Sequence, residues 1–125
     1  MSAEPWYSLK VPATAGWLTL NHRGAWYVHR PLIKNYRQLG MLLSLRDRLP
    51  RIQQANIIAE LHFSTRRKRD PHNWQPTAKA ILDGMVDAGV FPDDNSQHIT
   101  GPDMREGAKV PVGAECIVMH IYPPS

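Results

Sequence analysis

Asn56-Ile57-Ile58-Ala59-Glu60-Leu61-His62-Phe63 alternates: Ile57, Ala59, Leu61 and Phe63 are apolar at every second position, with Asn56, Ile58, Glu60 and His62 between them. Residues two apart share a face of an extended chain, so the stretch is read as a central β-strand with one face on the core. It delivers the chain, through Ser64-Thr65, to Arg66-Arg67-Lys68-Arg69-Asp70-Pro71-His72-Asn73. Pro71 excludes a continuing ladder and makes this segment a loop. Loops at the ends of sheet strands are where a rigid scaffold presents functional groups.

The helix expected next opens at Pro76 and closes at Gly89, which suits the left-handed residue past a helix end. Ala78, Ile81, Leu82, Met85 and Val86 form its apolar face, and Lys79, Asp83 and Asp87 share the other at i, i+4, i+8. A lysine near a helix N-terminus opposes the macrodipole, and a lysine preceding its acid is the weaker order for helix support. Two readings of Lys79 stay open: an anion docks at the same helix end, or the residue makes a surface ion pair. After Val90-Phe91-Pro92 the acidic pair Asp93-Asp94 closes the segment.

Clustered cations beside clustered carboxylates suit phosphodiester chemistry, in which an anionic substrate becomes more anionic in the transition state. Arg and Lys supply phosphate contacts, and carboxylates hold a hard divalent ion that needs only one or two of them plus water and substrate phosphate. Such an ion activates water, so no Ser or Cys nucleophile is required. Cys116, the only cysteine, also forbids an internal disulfide and fits a reducing compartment.

Upstream, the alternation of Trp6, Ser8 and Lys10 with Tyr7, Leu9 and Val11 suits a first strand that Pro12 ends or confines to an edge. Trp17-Leu18-Thr19-Leu20 and Ala25-Trp26-Tyr27-Val28 flank Asn21-His22-Arg23-Gly24 as a β-hairpin would, with His22 and Arg23 at its tip. An ordinary solvated hairpin remains the other reading of that tip. Pro31 is expected as the first residue of a helix running to about Leu49, its apolar stripe Leu32, Tyr36, Leu39 and Leu43 stopped by Pro50. Its basic residues Lys34, Arg37, Arg46 and Arg48 lie off that stripe.

Downstream, Gln97-His98-Ile99-Thr100 is expected as a short strand broken by Gly101-Pro102, followed by a hairpin loop from Asp103 to Gly113. Ala114 to Tyr122 is β-prone and apolar on nearly both faces, hence interior to the sheet. Pro123-Pro124 marks a tail, 122–125, expected to fray.

A length of 125 residues suits one domain with its own core, here an α/β (α+β) domain with a mixed sheet and two main helices. No apolar run approaches the ~20 residues of a membrane span, and Met1-Ser2-Ala3-Glu4-Pro5 lacks a signal pattern, so a cytoplasmic protein is expected. The formal charge of +4 favours a polyanionic partner, modestly.

Three segments in this order, Arg67-Lys68-Arg69-Asp70-Pro71-His72-Asn73, Lys79-Ala80-Ile81-Leu82-Asp83-Gly84 and Asp93-Asp94-Asn95-Ser96-Gln97, resemble the core signature of the RusA family of Holliday-junction resolvases. That signature has a basic lead-in, D-x-D-N, a helix carrying K-x-x-x-D, and D-D beyond it. The close match covers about a quarter of the chain, residues 66–99, and Asn21-His22-Arg23-Gly24 looks like the family's polar, basic early loop. The resemblance implies a homodimeric endonuclease of the bacterial or phage-infected cell. Using Mg²⁺ or Mn²⁺ and no nucleotide cofactor, it would resolve four-way DNA junctions by paired symmetric nicks in recombination and repair. Carried over, Asp70 and Asp94 are metal ligands, Lys79 is the catalytic or phosphate-binding lysine, Asp93 and Asp83 are supporting acids with Asp93 a further ligand, and Asn73 closes the first motif. Arg66, Arg67, Lys68 and Arg69, with His22 and Arg23, would hold DNA.

Two features depart from the family. His72 stands where the second acid of D-x-D-N is expected, and Trp74-Gln75-Pro76-Thr77-Ala78 lengthens the link to Lys79. Neutral imidazole can serve as a ligand in place of that acid, suiting Mn²⁺ and later metals better than Mg²⁺. The alternative is a catalytically impaired branched-DNA-binding protein on the same scaffold. A zinc module built from His62, His72, His98 and His120 is the weakest reading, because the spacings match no standard zinc pattern.

Overall fold

The computed structural model describes residues 4–13, 17 and 26–125, with the side chains of 26–28 left aside. Four strands, β1 (Tyr7–Pro12), β2 (Ala55–His62), β3 (Ile99–Glu106) and β4 (Cys116–Tyr122), form one mixed sheet in the order β1-β4-β2-β3. Among the described residues two helices, α1 (Trp26–Arg46) and α2 (Gln75–Asp87), pack with the sheet in a single α+β domain.

The alternation around Ile57 has the expected result. Ala55, Ile57, Ala59 and Leu61 are buried, and the residues between them are half-buried. β2 pairs antiparallel with β4 and parallel with β3, so it is interior. In register, Ile57 faces Ile121, Ala59 faces Met119 and Leu61 faces Ile117, while β1 adds Leu9 beside Met119 and Val11 beside Ile117. This apolar face meets Tyr36 of α1 and Ala78, Ile81, Leu82 and Met85 of α2 in one core. Pro12 lies in β1, where an edge position asks less of its missing N–H.

The helices approach closely enough to require glycine. A Cβ on Gly84 would strike the Arg37 carbonyl and the Met41 amide nitrogen, and one on Gly40 would strike the Ile81 carbonyl. Across the same seam, Arg37 donates through Nε to Asp87 at 2.6 Å and through Nη2 at 2.9 Å.

Four expectations change. Trp26, Tyr27 and Val28 open α1 rather than forming a strand, and Pro31 lies inside that helix instead of starting it. The β preference of such residues depends on packing context and gives way where a long helix is anchored along its length. The rest of the expected hairpin, with His22 and Arg23, lies outside the described residues. Helix α1 also ends earlier than Leu49. Arg48 takes a left-handed conformation (φ 55°), its N–H donating to Leu45 and that of Leu49 to Ser44, because the residue before Pro50 resists helical geometry. Finally, Gly101-Pro102 does not break the third strand. Asn56 pairs with Thr100 and Ile58 with Asp103, so Gly101 and Pro102 stand opposite Ile57 alone, as a bulge, and β3 continues to Glu106. Gly101 adopts φ 108°, and a side chain there would strike the Ile57 carbonyl.

Candidate active site

β2, the loop after it, α2 and β3 form a strand–helix–parallel strand unit that carries all three segments of the signature. The loop is fastened at its start by Phe63, buried at the end of the β2 run. Trp74 meets the Phe63 ring edge-on at 5.1 Å between centroids, and Trp17 meets it tilted at 4.9 Å.

The four cations are not equivalent. Arg66, Arg67 and Lys68 are exposed. Arg69 turns inward with a side chain only 4% exposed, its guanidinium 3.9 Å from the Phe63 centroid and 3.0 Å from Glu106. It also donates to the Thr65 carbonyl at 3.1 Å and the Thr65 hydroxyl at 2.8 Å. Arg69 therefore braces the loop, correcting its expected place among the DNA-holding residues and leaving three cations to face solvent.

Asp70 caps a single 3₁₀ turn, Pro71–Trp74, by accepting the His72 N–H at 3.1 Å. Asn73 donates its own N–H to the Asp70 carbonyl at 3.0 Å, and the His72 side chain is exposed. Asp93 plays a similar part beyond α2: one carboxylate oxygen accepts the Asp94 N–H at 2.7 Å and the other the Asn95 amide at 3.4 Å. Both residues shape the turns in which they stand.

Lys79, Asp83 and Asp94 do come together. The Lys79 ammonium donates to Asp83 at 2.7 Å, one helical turn on, and contacts the carboxylate of Asp94 from the loop after the helix. Asp87 leaves this row for Arg37, and that guanidinium holds its carboxyl below the usual range. Sequence reading missed Arg37 as the partner, since nothing in the spacing of α1 states which side of it meets α2.

Among the described residues, no group of three or more His, Cys, Asp and Glu is placed to hold a metal ion. The expected set Asp70, His72, Asp93 and Asp94 is thus not gathered into one cage, nor are His62, His72, His98 and His120. Asp83 and Asp94, by contrast, already converge on a cation. A hard divalent ion needs one or two carboxylates beside water and substrate phosphate, and these two are the acids of the signature that the structure brings together.

Sequence reading grouped His62 and His120 only as zinc ligands, whereas the structure places them in a polar cluster with Ser8 and Glu60 on the other face of the sheet. Ser8 and His120 Nδ1 lie 2.7 Å apart, and Glu60 takes His62 Nε2 at 2.8 Å with His120 Nε2 at 3.6 Å. Its sequence signal is the set of positions alternating with the core residues of β1, β2 and β4. No protein-family model matches the chain, and no curated protein matches it.

Proposed function

We propose that this protein is a RusA-like endonuclease that acts on branched DNA, working as a homodimer in the cytoplasm of a bacterial or phage-infected cell. The observation that supports it best is the convergence of Lys79, Asp83 and Asp94, drawn from two separate segments of the signature, within the unit that also presents Arg66, Arg67 and Lys68. The exposed cations hold the sugar–phosphate backbone without reading sequence. Asp83 and Asp94 would hold Mg²⁺ or Mn²⁺, which when bound polarises the phosphodiester. Lys79 is positioned to pass from its carboxylates to the phosphoryl oxygens as charge builds there. Two copies match the two-fold symmetry of a four-way junction.

The test is cleavage of a labelled four-way junction against a linear duplex of matched sequence, with Mg²⁺, Mn²⁺ or chelator. Asp94→Asn and Asp70→Asn serve as controls. Paired nicks that need metal and Asp94 support the reading; cutting that survives chelator and both substitutions overturns it. A second reading, binding of branched DNA without cutting, draws on the engagement of Asp70 with its own turn. Tight junction binding with no nicks under either metal favours it.

A further inference from the structure

A cleft of about 570 Å³ opens between the start of β1 and the segments leading into β2 and β3, and Lys79, Asp83 and Asp94 do not line it. Trp6 and Tyr7 line it and are 49% and 41% exposed, so their rings are open to a ligand. Arg51, Gln53, Gln54, Gln97 and His98 supply the polar lining. Its volume lies in the range of small-molecule sites, about 300–1,000 Å³.

The polar groups are held by the fold. His98 Nδ1 lies 2.8 Å from the Gln53 carbonyl, which can only accept, so Nδ1 carries a proton and the ring is oriented with Nε2 as its other polar edge. Backbone bonds from Ile52 to Val90 (2.7 Å) and from Ala55 to His98 (2.9 Å) fix the floor, and the Trp6 N–H is tied to Ile121 at 2.7 Å. The cleft therefore combines exposed aromatic faces, an oriented imidazole edge, three carboxamides able to donate and accept, and a cation. A flat heteroaromatic ring with polar edges and an attached phosphate matches all four features. A second cleft, of about 340 Å³, shares Gln54, Gln97, His98 and Pro124 with the first and adds Ser96, Thr100 and Ser125, offering hydroxyls beside the same imidazole.

We infer that this cleft binds an unpaired nucleobase, stacked on Trp6 with its polar edge toward His98 and its phosphate toward Arg51. The base can belong to a mononucleotide or to a single strand. This inference goes beyond the proposed endonuclease and requires no cleavage.

The experiment is calorimetric titration of the full chain with deoxynucleoside monophosphates, with deoxyribose 5-phosphate, and with a short single-stranded oligonucleotide beside its abasic counterpart. Ligands that carry a base should bind at least about fivefold more tightly than their base-free counterparts, the lower end of what one stacked base contributes. Trp6→Ala should erase that preference and Trp6→Phe should keep it, with unchanged circular dichroism in both. Binding by mononucleotides identifies the free nucleotide as a source, whereas binding by the oligonucleotide alone assigns the cleft to a strand. Equal affinity for base-bearing and base-free ligands overturns the inference, as does a base preference untouched by Trp6→Ala. Because no arm uses a junction or a metal, failure here is distinct from failure of the nuclease reading.

Discussion

Lys79 and Asp94 are in contact although one belongs to α2 and the other to the loop beyond it, and Asp83 holds the same ammonium from within the helix. One cation thus ties the end of the signature to its middle. The Lys79 side chain is 51% exposed, so its ion pairs add little to stability. We expect Lys79→Met to change unfolding free energy in urea by less than about 1 kcal/mol. Junction cleavage by the same variant should fall by about 100-fold or more. A loss of activity accompanied by a large loss of stability would instead make Lys79 a structural residue.

Adjacent cations in the basic run should behave oppositely. Arg69→Ala removes a guanidinium packed on Phe63 and leaves Glu106 without its partner, for an expected destabilisation of about 2 kcal/mol. Lys68→Ala touches an exposed residue and should leave stability within about 0.5 kcal/mol. It should instead weaken DNA binding at every sequence and reduce the salt slope by about 1. Denaturation curves and binding titrations at several salt concentrations separate the two.

The Arg37–Asp87 pair gives the helix seam a pH dependence. The hydrogen bond from Arg37 lowers the Asp87 pKa from its ordinary 3.8. A carboxylate whose folded-state pKa is depressed contributes stability above its unfolded pKa and loses it as pH falls through the folded one. The stability difference between the protein and Asp87→Asn should therefore be constant at neutral pH and shrink once pH drops below about 4. Chemical denaturation from pH 7 to pH 3 would show it; a difference that persists unchanged to pH 3 would contradict it.

Gly84 follows directly on Asp83, yet its role is in packing. Gly84→Ala puts a methyl group into the Arg37 carbonyl and Met41 amide of α1, backbone atoms that cannot swing aside. Despite the better helix propensity of alanine, the substitution should destabilise by about 1–3 kcal/mol. Thermal melts would read it as a lowered Tm, and an unchanged or raised Tm would mean that the helices can separate at little cost.

Much of this architecture was legible in the sequence because periodicity reports which face of an element is buried. The alternation from Asn56 to Phe63 defined β2, the apolar set on α2 defined its inner face, and Pro76 and Gly89 marked its ends. The reading failed where local signals competed with distant packing. Trp26-Tyr27-Val28 carried β preference into a helix, and Gly101-Pro102 looked like a break because a bulge is defined only by the partner strand, here at Ile57. At the candidate site, the sequence by itself supplied the inventory of Arg66 to Lys68, Asp70, Lys79, Asp83 and Asp94, along with their order and spacing. Only the tertiary structure decided that Lys79 meets Asp94, that Arg69 turns inward and that Asp87 leaves its row for Arg37. The reason is physical. Spacing along a chain fixes which residues share a face, whereas the partner across a gap is chosen by how helices and loops pack, and no local pattern encodes that choice.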